Sequence, residues 1–184
     1  CQKTAKGTGC EIRGVCGKTE DVAKLQDLLI YTLKGIAEIV VKGKVDVAGL
    51  GPINHEVLSS LFMTITNANF DAAAFEVEIK KMLKLRNELR AKISAEKLHD
   101  AATFEVASKE SMLEKAATVG VLATKNEDVR SLRELITYGL KGMAAYAEHA
   151  LNIGKENVEI YAFVYEALAA TLNDGLSADE LVAS

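Results

Sequence analysis

Three cysteines, Cys1, Cys10 and Cys16, crowd the first stretch of the chain, and none follows them. A disulfide scaffold spreads an even number of cysteines along its length, so this odd, clustered set points to a metal site or to reactive thiols. The same stretch carries Gly7, Gly9, Gly14 and Gly17. Glycine permits the positive-φ turns and inward-pointing amides that a chain needs to wrap a compact inorganic group. Lys3, Lys6, Arg13 and Lys18 against Glu11 give the stretch a local charge of +3, in a chain whose net charge is −4. Cationic surroundings suit thiolates. A cubane iron–sulfur cluster takes four thiolates and a structural zinc ion takes four ligands, but only three cysteines are present. His55 lies far downstream, so if a metal is bound its fourth ligand is expected to be a cysteine just upstream of Cys1. On residue types alone an iron–sulfur site, a zinc site and free redox thiols all stay open.

Other constellations carry less. Glu96-Lys-Leu-His99 has the Glu-x-x-His spacing of di-iron bundles, but such sites need a second copy and two further glutamates. His55 and His149 are preceded three residues earlier by Pro52 and Tyr146, so a solvated helix face is the better reading. Gly49-Leu-Gly-Pro-Ile-Asn54 has two glycines and no Lys-Ser/Thr after them, which fits a turn and helix start rather than a phosphate loop. The charged stretch Lys80–Lys92 reads as a solvated helix face.

The elements that would position the cysteine loop show themselves through a repeat. Residues 18–35 match residues 125–142 without a gap, with Glu20/Glu127, Asp21/Asp128, Val22/Val129, Leu25/Leu132, Leu28/Leu135, Tyr31/Tyr138, Leu33/Leu140 and Lys34/Lys141 identical. Thr19 and Asn126 are N-cap types, each followed by two acids that favour the positive end of a helix dipole. Val22, Leu25, Leu29, Leu33 and Ile36 then make an apolar stripe at helical spacing. Gly35 and Gly142 interrupt these helices at a cost of about 1 kcal/mol each against alanine, and a close helix–helix approach would account for both. Tyr31 and Tyr138 read as core residues with hydroxyls reaching the surface.

The similarity resumes downstream, with third helices capped by Asp71 and by Ser177, the latter in a capping box with Glu180. The repeat unit is therefore three helices, at 19–43, 53–66 and 71–93 in the first copy and at 126–150, 156–172 and 177 onward in the second. The chain divides into a cluster loop (1–18), a first bundle (19–93), a connector (94–124) and a second bundle (125–184). The connector holds a short helix started by Ser111 with Glu114 and closed near Gly120. The last helix has its start signals but only about two turns of length, so the chain is expected to be part of a longer protein.

The class is all-α. Strand-like alternation is scarce, and there is one proline and no tryptophan. The acidic balance gives no basic surface for nucleic acid, and no apolar run is long enough to span a bilayer.

The loop, continued by Gly17-Lys-Thr-Glu-Asp21 and Leu25-Gln-Asp-Leu-Leu-Ile-Tyr-Thr-Leu-Lys-Gly-Ile36, resembles the start of the hybrid-cluster (prismane, hydroxylamine reductase) proteins. Phe62-Met-Thr-Ile-Thr-Asn-Ala-Asn-Phe70-Asp and Tyr161–Leu172 are similar to that family as well. Its Cys-x2-Cys-x8-Cys-x5-Cys pattern binds an amino-terminal [4Fe–4S] cluster, and Cys1, Cys10 and Cys16 match the second, third and fourth positions. The resemblance implies a cytoplasmic oxidoreductase, reducing hydroxylamine to ammonia or nitric oxide to nitrous oxide. Catalysis would occur at a hybrid iron–sulfur–oxygen cluster whose ligands lie beyond Ser184. It implies two three-helix bundles, an electron-donor protein or reductase as partner beside the rest of the parent polypeptide, and neither nucleic acid nor membrane. The isolated chain is then expected to be inactive. The alternative is a non-catalytic helical interaction module stabilised by zinc or a cluster.

Overall fold

Thr19 opens the first helix as its residue type suggests: its Oγ1 accepts from the Val22 amide at 3.4 Å. The helix, α1, runs Glu20–Lys42 and closes at Gly43, whose N–H donates to Ile39 O. The computed structural model describes residues 14, 16–65, 68–94 and 97–183. Two further helices follow, α2 (Pro52–Met63) and α3 (Ala72–Arg90). Pro52 occupies the first turn of α2, where its missing N–H costs nothing. Asp71 caps α3 by accepting from Ala73 N and Ala74 N.

After the 3-10 turn Asp100–Ala102 comes α4 (Lys109–Val119). Its N-cap is Ser108 rather than Ser111: Ser108 Oγ accepts from Ser111 N, and Ser111 Oγ accepts from Ser108 N. Two serines three apart can close this box as well as Ser and Glu, which shifts the start relative to the Ser111–Glu114 reading. The second copy supplies α5 (Glu127–Asn152), α6 (Val158–Ala170) and α7 (Ala178–Ala183). Asn126 caps α5, and Ser177 with Glu180 closes the expected box at α7. The all-α class holds, with no strand among the described residues.

Packing crosses between the copies. α1 lies chiefly against α3, α4 and α6, whereas α5 lies against α2 and α7; α1 with α2, and α5 with α6, touch far less. The second helix of each repeat thus packs on the first helix of the other. At the crossing, the buried Tyr165 hydroxyl of α6 donates to Asn54 Oδ1 of α2 at 3.0 Å, and Asn54 Nδ2 donates to Val47 O. The division at 93 and 125 describes order along the chain, while the cores are shared across it.

This sharing makes α1 the central helix. Leu25, Leu28, Leu29, Leu33, Ile36 and Ile39 are fully buried, well beyond the single stripe expected. Burying a leucine-sized side chain contributes about 1.5–3 kcal/mol, so α1 is held firmly in the core.

Gly35 admits a close approach, but not from a helix. A Cβ there would lie 2.0 Å from Ala101 O, so the backbone of the 3-10 turn sits directly on the glycine. Arg86 holds that turn in place: its Nη1 donates to Ala101 O and its Nη2 to Phe104 O, with the guanidinium stacked over the Phe104 ring. At Gly142 nothing lies within 4 Å of the equivalent position, so the expected helix–helix contact is absent at both glycines.

Candidate functional site

Of the three cysteines, Cys16 is described; Cys1 and Cys10 lie outside the described residues. Cys16 is an exposed free thiol on a tight turn. Gly14 N donates to Lys18 O at 2.9 Å and Gly17 N donates to Gly14 O at 2.8 Å. Gly17 has φ +97°, a backbone conformation that favours glycine. A Cβ on Gly14 would meet Cys16 Sγ at 3.0 Å and Lys18 Cβ at 3.2 Å. Both glycines therefore serve the turn that presents this sulfur.

The turn leads straight into α1. Lys18 Nζ donates to Gln26 Oε1 at 2.7 Å, and Gln26 Nε2 donates in turn to Asn69 O. Lys18 is thus tied through Gln26 to the segment ahead of α3. An exposed, unpaired thiol on a two-glycine turn with a fixed lysine fits a thiolate ligand to an anionic cluster. Among the described residues no group of three or more histidine, cysteine or acidic side chains could hold a metal ion.

A second constellation, missed from the sequence, lies where α1 faces α5. Asp27 and Lys34 of α1 and Glu134 and Lys141 of α5 occupy equivalent positions in the two repeats and act on one another electrostatically. Burial, reinforced by Glu134, raises the Asp27 carboxyl to about 6. Burial lowers the Lys34 ammonium to about 8 against the opposing pull of Glu134, and it lowers Lys141 as well. Lys18 also acts on Asp27 and Lys141, so this charged seam meets the exit of the cysteine loop. Asp27, Lys34 and Glu134 line a cleft of about 670 Å³ with Tyr31, Arg133 and Asp174. Arg133, 9 % exposed, spans its far wall by donating to Thr124 Oγ1, Asn173 O and Asp174 Oδ1. The signal was available: an acid and a lysine seven residues apart in both copies stand on one helix face.

The histidines stay apart and structural. His99 Nδ1 accepts from Ala101 N, and the His99 amide donates to the buried Glu38 carboxylate. Glu96, its supposed metal-binding companion, lies outside the described residues. His55 pairs with Glu156 at 3.0 Å, and His149 stacks edge-on to Phe62. Tyr31 packs against Phe104 and donates its hydroxyl to Asp100, as a core tyrosine with a surface-reaching hydroxyl should. Burial, together with that hydrogen bond, raises its pKa. Tyr138, its counterpart, is 67 % exposed.

A match to the Prismane/CO dehydrogenase family model extends over residues 1–184. The chain belongs to the Prismane/CO dehydrogenase family. Among curated proteins this prismane-family chain is 68 % identical over 183 residues to a hydroxylamine reductase of Acetivibrio thermocellus. It is 54 % identical over 193 residues to one of Desulfitobacterium hafniense and 51 % identical over 191 residues to one of Clostridium perfringens. Each alignment covers 100 % of the chain and 34 %, 34 % and 35 % of the respective relative. The prismane-family chain therefore spans about a third of the length of these relatives. No helix among the described residues is long and apolar enough to cross a membrane.

Proposed function

We propose that this chain is the amino-terminal, electron-handling portion of a hydroxylamine reductase. In this reading Cys1, Cys10 and Cys16 give three of the four thiolates of a [4Fe–4S] cluster, and a cysteine just upstream gives the fourth. The family match over the whole chain carries the reading, and the exposed Cys16 on its glycine turn supports it locally. When bound, such a cluster takes up and releases single electrons.

The chain's own residues hold and shield that site. Gly14 and Gly17 close the turn that aims the Cys16 sulfur outward. Lys18, the residue that accepts from Gly14 N to close the turn, is held by Gln26 and ties the turn to α1. Thr19 then locks the loop onto α1, whose buried length gives a rigid footing. Reduction of hydroxylamine or nitric oxide belongs to residues of the parent protein outside this chain, supplied with electrons by a donor protein or reductase in the cytoplasm.

The test is Cys16→Ser in the full-length protein, reconstituted anaerobically. Iron content should fall by about four atoms per chain, with loss of the cubane's paramagnetic signal on reduction. Unchanged iron and signal in the variant would overturn the ligand assignment. Stoichiometric zinc and no iron taken up by this region of the wild type would favour a zinc-stabilised module instead.

A further inference from the structure

The cleft between the repeats holds a carboxylate that the rest of the fold leaves without a partner. α1 and α5 face one another across about 670 Å³, with little packing between them. Asp27 of α1 lines this space, half-buried. Its Oδ2 lies 2.9 Å from the point that a Cβ on Gly120 would occupy, so the end of α4 closes over it. Among the described residues no N–H or O–H donates to this carboxylate, and no cation stands within ion-pair distance of it. Neighbouring acids of the same cleft wall are tied down. Asp100 accepts from Tyr31 and Lys115, and Asp174 accepts from Arg133. A half-buried carboxylate with neither hydrogen bond nor counter-ion favours its protonated form. Burial, with Glu134 across the cleft, accordingly holds Asp27 at about 6, against the opposing pull of Lys141, Lys34 and Lys18.

Lys18 connects this carboxylate to the cysteine loop. Its carbonyl closes the turn that presents Cys16, and its Nζ donates to Gln26, the residue before Asp27. Asp27 itself stands about 12 Å along α1 from Thr19, at 1.5 Å per residue. Partly buried charges are screened weakly over such a separation. Negative charge added at the loop therefore raises the proton affinity of Asp27. We propose that Asp27 is a redox-linked proton site, taking up a proton through the cleft when the cluster held by the cysteine loop takes up an electron. The donor protein supplies the electron, a proton from solvent joins a carboxylate oxygen of Asp27, and both leave on reoxidation. Asp27 touches neither iron nor substrate and acts on the loop through its charge. The proposal rests on the cluster reading given above.

Reductive titration of the anaerobically reconstituted full-length protein, followed by the cubane's paramagnetic signal, gives its midpoint potential from about pH 5 to about pH 8, on both sides of the Asp27 value. The wild-type potential should fall as pH rises through this window, by at most about 59 mV per pH unit for one proton per electron. Asp27→Asn should make it level, and Asp27→Glu should keep the slope, which a change of packing alone would not do. A level wild-type potential overturns the proposal without any variant having to fold, and an equal slope in Asp27→Asn overturns it as well. A wild-type protein with no cubane signal overturns the cluster reading and this proposal together, so the two failures are told apart.

Discussion

Arg86→Met probes the clamp that holds the connector on α1. The side chain is 0 % exposed, its Nη1 donates to Ala101 O at 3.1 Å and its Nη2 to Phe104 O at 2.5 Å. Its ion pair with Glu105 spans 3.3 Å, but that glutamate is largely exposed and adds little. Burial has already pulled the guanidinium down to about 10. Methionine keeps the apolar stem and removes the fork, leaving two carbonyls without their donors. Each such loss costs about 1.5–3 kcal/mol for a charged donor. The variant recovers part of this because no guanidinium is desolvated. The net expectation is a loss of about 2–4 kcal/mol in stability, with Arg86→Ala worse by the cavity it opens. Urea unfolding followed by far-ultraviolet circular dichroism measures the loss, and hydrogen exchange locates it. Amides of residues 101–105 should gain the most in exchange rate, and those of α5 should gain no more than the global loss of stability allows. A loss below about 1 kcal/mol, or exchange unchanged in the connector, would refute the clamp.

Gly35→Ala should destabilise by more than the ~1 kcal/mol that alanine gains in a helix, because the turn must leave its seat 2.0 Å from the new Cβ; calorimetry gives the sign. Tyr165→Phe should cost about 1–2 kcal/mol, since it strips the buried Asn54 Oδ1 of its donor in the hydrogen bond that links α6 to α2; denaturant midpoints report it. The raised Asp27 pKa makes a signed pH prediction. Its folded form holds a proton that the unfolded form has released, so its contribution is full below its usual value of 3.8 and is lost as pH rises through about 6. Asp27→Asn should flatten the stability profile across that window and stabilise the protein at neutral pH, and unfolding midpoints at several pH values would show whether it does.

Much of the fold was legible because its signals are local. Thr19, Asp71, Asn126 and Ser177 cap the helices that their residue types announced. Ser108 took the role given to Ser111 because the reciprocal box closes equally well with serine at both ends. The partnering of helices was not legible. An apolar stripe states that a face is buried and is silent about which helix buries it, so the exchange of α2 and α6 left no mark in the periodicity. Gly35 was conspicuous in the sequence, but its neighbour lies far along the chain and belongs to a turn. At the site, residue types pointed to Cys16 and its glycines. The Asp27–Lys34 and Glu134–Lys141 seam was overlooked because charged residues on a helix ordinarily face solvent.

The exchanged helices also set the order in which the chain can mature. α1 emerges from the ribosome well before α6, a large part of its cover, which begins only at Val158. The first repeat therefore cannot finish folding during its own synthesis and exposes its most apolar helix until the second has been made. Pairings so distant in sequence slow folding and prolong contact with chaperones. They also join the two copies into one cooperative unit, so a truncation or loop insertion in either repeat should unravel both, as though a duplicated gene had traded helices with itself.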